Sequence, residues 1–233
     1  MSAQTAFTTP AQHVVPRVAE AASGFSRNFH GLLASLGYAA LLVVCAPALA
    51  ATAPSLGNAT NFAVLGASAV TNTGSSVIIG DLGISPNNAS SVTGFPPGTV
   101  NGATHFADSV ALGAQTDVTT AYNNLASQPC ITTISADLGG TTLTPGVYCS
   151  GSSMGLTGTV TLDAQGDPNA VFVFKMGSTL TTGSNASVNV INSGQSCNVF
   201  WQVGSSATLG TGTTFAGNLL ALASITLNTG AST

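Results

Sequence analysis

The sequence predicts a mostly β protein, a three-sided β-solenoid with one long helix packed along one face. Three observations lead there. Short apolar segments that end at glycine recur along the chain, as in Phe62-Ala63-Val64-Leu65-Gly66 and Ser76-Val77-Ile78-Ile79-Gly80, which is the mark of strands joined by tight corners. A threonine-bearing segment returns beginning at Leu156, Leu180, Ala207 and Ile225, at spacings of 24, 27 and 18 residues. Periods of that size fit stacked coils, and their irregularity argues against a strict short-repeat helix. Only one stretch carries a helical period.

Taken in order, residues 1–28 are polar and low in complexity, with Arg17 and Arg27. Residues 31–50 then form an apolar run ending Ala48-Leu49-Ala50. A basic approach, an apolar stretch and a small-x-small ending make a cleaved secretory signal the expected reading. The alternative is an uncleaved anchor, because the run approaches the ~20 residues that span a bilayer. A lipoprotein signal at Cys45 is disfavoured by Val44 before it. The chain therefore divides into a leader, 1–50, and one domain, 51–233.

Residues 62–102 read as short strands, and Pro96-Pro97-Gly98 makes a hard turn within them. Between 104 and 127, Phe106, Val110, Ala114, Val118, Tyr122 and Leu125 recur every three or four residues, the signature of an amphipathic helix. Thr104 is the expected N-cap and Pro129 the stop. From Leu138 onward the β pattern resumes. The chain thus builds coils, inserts a helix and coils again.

Alternation along strands assigns faces. With Leu156, Leu180, Ala207 and Ile225 inward, Thr157, Thr181, Thr208 and Thr226 point out and stack into one column. Around the next corner Thr159, Ser187, Thr214 and Ser232 form a second column, with Val160, Val188 and Phe215 in the core. Val171-Phe172-Val173-Phe174, Val199-Phe200-Trp201 and Leu219-Leu220-Ala221-Leu222 are apolar on both sides of the strand. Such strands must be covered on both faces, and the helix is the available cover. Two faces are left to water. Neighbouring strands lie ~4.8 Å apart and alternate residues ~6.6 Å apart, so outward threonines would form a regular lattice of hydroxyls and methyls. Threonine is also simply a good strand former on a half-exposed sheet.

Charged residues are 4% of the chain, against ~25% in ordinary soluble domains. After residue 50 there is one basic side chain, Lys175, and six acidic ones, Asp81, Asp108, Asp117, Asp137, Asp163 and Asp167. Nucleic acid is excluded as a partner, since phosphate binding needs a basic surface. The domain's one histidine, His105, is expected to be a surface or capping residue at the helix start. No His-Glu-x-x-His or phosphate loop occurs. Asp163, Asp167 and Asn169 make a weak calcium set and read better as a corner. No enzyme, metal or cofactor is expected. Of the cysteines outside the leader, Cys130 and Cys149 flank the turn after the helix and are candidates for a disulfide. A Cys149–Cys197 pairing remains the alternative, with Cys197 otherwise a small buried residue.

Several strings resemble a known family: Phe62-Ala63-Val64-Leu65, Gly80-Asp81-Leu82-Gly83, Gly94-Phe95-Pro96-Pro97-Gly98-Thr99-Val100, Leu143-Thr144-Pro145-Gly146-Val147-Tyr148, residues 162–172 and Val199-Phe200-Trp201-Gln202-Val203-Gly204. They are similar to the microbial ice-binding proteins of polar bacteria, snow fungi and sea-ice algae, over about residues 55–233. The resemblance implies a discontinuous solenoid of triangular section with a helix alongside. It further implies secretion, adsorption to ice, thermal hysteresis and inhibition of recrystallisation. The ice surface would be the one partner of a monomer with no membrane contact after signal cleavage. It carries over a solenoid face but no fixed residue list, so either open face could meet ice. Family members usually add a closing strand after the coil at Ile225-Thr226-Leu227. With Thr233 last here, that coil is expected to be incomplete or to expose an edge.

The competing expectation is a cell-surface adhesin or glycan-binding module, which would need exposed aromatic rings.

Overall fold

The computed structural model describes residues 4–6, 50–134 and 137–233. The candidate signal or anchor at 31–50, apart from Ala50, and Cys45 lie outside them. Among the described residues no helix is long and apolar enough to cross a membrane.

Each coil turns three corners, and the faces are separate sheets. The helix-side sheet has nine strands in the order Thr104–Phe106, Asp81–Ile84, Phe62–Gly66, Gln4–Ala6, Asn218–Ala221, Val199–Val203, Phe172–Met176, Gly146–Ser150 and Thr132–Thr133. All of its pairings are parallel except those of Gln4–Ala6, which runs antiparallel to both neighbours. A second sheet stacks Met154–Leu156, Leu180–Thr182, Ser206–Leu209 and Ser224–Leu227; we call it the threonine face. The third stacks Thr142–Leu143, Thr159–Asp163 and Ser187–Ile191, and bridges at Thr214 and Ser232 continue it. Ser224–Leu227 is an edge strand of the threonine face. In the first two coils Val70–Thr71 pairs with Val92–Thr93, and Val77–Ile79 with Thr99–Asn101.

The order is discontinuous: the first coils lie beyond the last one, not before the coil that follows the helix. The helix provides the return. Nine strands span eight spacings, roughly 38 Å at ~4.8 Å each. The helix Ser109–Ser127 has 19 residues, roughly 28 Å at ~1.5 Å per residue, and short connectors supply the rest.

The helix is shorter than the sequence suggested. Residues Thr104–Phe106 pair with Asp81–Ile84 as a strand, because after the three sides of the second coil the chain returns to the helix-side sheet and starts a further turn. Asp108, not Thr104, is the N-cap: its Oδ1 accepts from the Ala111 N–H at 2.8 Å and its Oδ2 lies 2.8 Å from His105 Nδ1. The Ala111 amide first, and His105 second, hold this carboxyl below its ordinary range. His105 therefore sits on a strand rather than on the helix. Val110 is 44% exposed, and the buried stripe is Ala111, Ala114, Val118, Ala121, Tyr122 and Leu125. Its alanines let the helix axis approach the sheet closely.

Two clusters divide the strands of the helix face. Tyr148, Phe174, Trp201 and Leu219 share one register column and point into the solenoid. Val147, Val173 and Phe200 point the other way, against the helix. In the interior column Trp201 stacks on Phe174 at 4.0 Å between ring centroids, and Phe174 on Tyr148 at 5.5 Å. The strand spacing sets the scale of this aromatic ladder, in which offset ring pairs are favourable. The Trp201 indole N–H donates to the Ala216 carbonyl at 3.0 Å, so burial leaves no donor unpaired.

Polar ties fix the helix at its middle and at its C-terminal end. Asp117 accepts from the Asn58 backbone N–H and from Asn58 Nδ2, both at 2.7 Å. At the C-terminal end Lys175 Nζ donates to the Ala126 carbonyl at 2.7 Å and to the Gln128 carbonyl at 2.5 Å. A cation there complements the negative end of the helix dipole; burial lowers its pKa. Cys130 is disulfide-bonded to Cys149 on the neighbouring strand, and Cys197 is a half-buried free thiol.

Replacing Trp201 with alanine removes the centre of the aromatic ladder. The expected loss of unfolding free energy is about 3–5 kcal/mol, read as a lower midpoint in urea with little change in slope.

Candidate functional site

The threonine face owes its geometry to the corner before it. Gly151, Gly177 and Gly204 each follow a helix-face strand and stack on one another. A Cβ on Gly177 would fall 2.6 Å from the Gly151 carbonyl oxygen, and one on Gly204 2.5 Å from that of Gly177. Three residues after these glycines come Met154, Leu180 and Ala207, which are buried and pair in one inward column continued by Ile225.

That register corrects the first expected column. Thr181, Thr208 and Thr226 are aligned, but their neighbour on the first strand is Gly155, not Thr157. Thr157 lies two residues further on, at the next corner, where its backbone N–H and hydroxyl both donate to Asp137. Matching Leu156-Thr157 to Leu180-Thr181 by residue type misplaced it. Counting from the corner glycines gives the correct alignment.

A parallel outward column was missed. Residues 153, 179, 206 and 224 stand in register, and their hydroxyls bond in pairs: Thr179 Oγ1 donates to Ser153 Oγ, and Ser224 Oγ to Ser206 Oγ, both at 2.9 Å. The central column differs. Among the described residues the Thr181, Thr208 and Thr226 hydroxyls find no protein partner, and the side chains are half-exposed or exposed. Thr71 and Thr93 extend the same side of the solenoid in the first two coils, with their oxygens 3.5 Å apart.

The second open face also carries the expected column: Thr159 pairs with Ser187, Ser187 with Thr214, and Thr214 with Ser232. Here hydroxyls are used internally, since Thr159 Oγ1 and Ser187 Oγ lie 2.7 Å apart. A neighbouring column holds Thr142, Thr161 and Asn189. This face also includes Asp163, whose carboxylate accepts from Asn192 Nδ2 at 2.7 Å and from the Gln165 N–H at 2.8 Å. These bonds, Asn192's first, lower its pKa. An ionised carboxylate offers about four acceptor positions and orients water around a charge. The four strands of the threonine face contain no charged residue; the carboxylate bridged to them is Asp137, opposite Gly155 at the edge of the sheet.

Other chemistry finds little support in the geometry. Among the described residues no group of three or more His, Cys, Asp or Glu is gathered as a metal site requires. His105 and Asp108 are engaged at the helix cap. The large apolar side chains exposed among the described residues are Val77, Ile79, Val110, Leu112, Ile131 and Leu227; none is aromatic. Trp201 is fully buried.

The comparison with known proteins fits this architecture. A family model described as ice-binding-like matches residues 64–233. The chain belongs to that family. It is 58% identical over 200 residues to an ice-binding protein of Nostoc sp. (strain HG1), covering 83% of this chain and 73% of the relative. Among solved structures, an ice-binding protein from an Antarctic biological consortium superposes with a TM-score of 0.73 at 43% identity, covering 78% of this chain and 90% of that one. The ice-binding protein of the Antarctic ascomycete Antarctomyces psychrotrophicus gives a TM-score of 0.71 at 36% identity, over 78% and 98% of the two chains. The family membership accounts for the discontinuous solenoid and the helix along its side.

Asp137 makes one corner of the threonine face pH-sensitive. The Thr157 hydroxyl, and then the Gly139 and Thr157 amides, outweigh partial burial and hold its pKa below the ordinary 3.8. A depressed folded-state pKa stabilises the fold above the unfolded value, and the contribution is lost as pH falls through the folded one. Asp137→Asn should therefore melt below the parent at neutral pH. Thermal melts should converge once the pH falls well below 3.8.

Proposed function

We propose that this protein binds ice through the threonine face and thereby depresses the freezing point and slows recrystallisation. The observation that carries the reading is the central column Thr181, Thr208 and Thr226. Its hydroxyls are unpartnered within the protein, stand at the strand spacing, and lie on strands without charge, the one carboxylate bridged to the sheet being Asp137, beyond Gly155 and engaged by Thr157.

Ice presents water at fixed positions. Hydroxyls held ~4.8 Å apart along the stack can hold water in a repeating pattern, while the threonine methyls order water without competing hydrogen bonds. No single contact has to be strong. The array is already rigid before it meets ice, so little side-chain and backbone freedom is lost on adsorption. Thr157 and the column Thr159, Ser187, Thr214 and Ser232 flank this surface or lie around the corner from it, and are secondary in this reading. The apolar run at 31–50 supports export, which places the protein where extracellular ice forms. The absence of exposed aromatic rings among the described residues favours ice over the glycan-binding alternative.

The experiment compares one bulky substitution on each open face. Thr208→Tyr should lose most of its thermal hysteresis and partition poorly into a growing ice front, with an unchanged circular dichroism spectrum. Asn189→Tyr, on the second open face, should keep parental activity. A folded Thr208→Tyr protein with full hysteresis would exclude the threonine face, and loss of activity only in Asn189→Tyr would move the site to the other one.

A further inference from the structure

Each helix-side strand ends where the corner to the threonine face begins, so the residue five places after a strand's end falls at one lateral position. For Phe172–Met176, Val199–Val203 and Asn218–Ala221 that residue is Thr181, Thr208 and Thr226. For Phe62–Gly66, in the first coil, it is Thr71. The second coil takes nine places from Ile84 to Thr93, four more than the others, yet Thr93 pairs directly with Thr71. Both side chains are exposed, and their short strands hold no charged residue. Their hydroxyl oxygens are 3.5 Å apart, at the long limit of a hydrogen bond. Along the helix-side sheet Phe62–Gly66 lies two places from Asn218–Ala221. Thr71 therefore stands roughly 9.6 Å from Thr226, twice the ~4.8 Å strand spacing, and keeps the period of the column.

The helix grips the chain at equivalent corners beside both groups of threonines. Gln115 Nε2 donates to the Gly66 carbonyl at 2.7 Å, and the Tyr122 hydroxyl donates to the Val203 carbonyl at 3.3 Å. Gly66 and Val203 are the last residues of their strands, the same number of places before Thr71 and Thr208. Leu65 of the first coil and Leu220 of the last share one apolar cluster with Ala114, Val118 and Tyr122 of the helix. None of these contacts involves residues 1–50, so a domain that begins at Ala51 keeps them. We propose, resting on the reading that the threonine face binds ice, that Thr71 and Thr93 form a second block of the same array and that Gln115 is the positioning residue that holds this block in phase with the first. The column then runs over five strand spacings, roughly 24 Å, instead of two, roughly 10 Å. Rigidly joined blocks adsorb as one, because the first to bind raises the effective concentration of the other at the crystal surface when their geometry matches it.

Thermal hysteresis of purified variants tests this, with Thr208→Tyr as the reference for the first block. Thr71→Tyr should lose about half of the parental hysteresis or more, because joined blocks adsorb better than either alone, while its circular dichroism spectrum stays parental. Gln115→Met keeps the bulk and removes the donor. It should also lose hysteresis, but should cost nothing further in the Thr71→Tyr background, where the block is already obstructed. Full hysteresis in Thr71→Tyr beside a loss in Thr208→Tyr would overturn the second block and leave the threonine face standing. Full hysteresis in both would overturn the face itself and the second block with it. Equal losses from Gln115→Met in both backgrounds, or none in the parent, would overturn its positioning role, since a general prop of the fold acts whatever the state of Thr71. If Thr71→Tyr fails to fold, Thr93→Tyr decides by the same comparison with Thr208→Tyr.

Discussion

Parallel strand register, set at the corners, is the constraint from which the rest of the structure follows. Gly151, Gly177 and Gly204 approach one another so closely that a side chain at the second or third would meet the carbonyl oxygen beneath it. Once these corners stack, every residue downstream is committed to a column. Met154, Leu180, Ala207 and Ile225 go inward, while Thr181, Thr208 and Thr226 go outward. The same register places Tyr148, Phe174 and Trp201 over one another in the interior. A slip of one residue would exchange the faces of a whole strand, burying hydroxyls and exposing rings.

The helix face shows what happens when a strand is apolar on both sides. Phe174 and Trp201 serve the solenoid interior, while Val173 and Phe200 serve the helix, so alternation persists inside a continuous apolar run. The small side chains of Ala111, Ala114 and Ala121 bring the helix close. Lys175 and Asp117 then bind it through charge-assisted hydrogen bonds rather than through ion pairs. The single amine of the domain is thereby used inside the structure, on the helix carbonyls, and not on the open faces.

Much of this was legible in the sequence. The helix was visible from the spacing of Ala114, Val118, Tyr122 and Leu125, and its role as cover from the doubly apolar strands. The column Thr159, Ser187, Thr214 and Ser232 was legible because each residue precedes or follows a recognisable core residue at a constant offset. Three things were not. The helix start was misread because Phe106 fits a helical period by chance, whereas Thr104–Phe106 is a strand that extends the helix-side sheet past Asp81–Ile84. Thr157 was misassigned because a Leu-Thr pair looks the same at a strand centre and at a corner; only distance from Gly151 tells them apart. The antiparallel strand Gln4–Ala6 had no signal, since three residues are too few to carry a period.

The discontinuous order of the coils has a consequence in time. Phe62–Gly66 is made early, yet its partner Gln4–Ala6 finds its own second neighbour only in Asn218–Ala221, made about 150 residues later. Coils after the helix stack on their immediate successors and can form progressively. The first two coils must wait, attached through the helix, until a loop of most of the domain closes. Ordering so long a loop before its contacts reward it slows the step. The coils made first thus depend, for joining the rest of the helix-side sheet, on the strand of that sheet made last among those described.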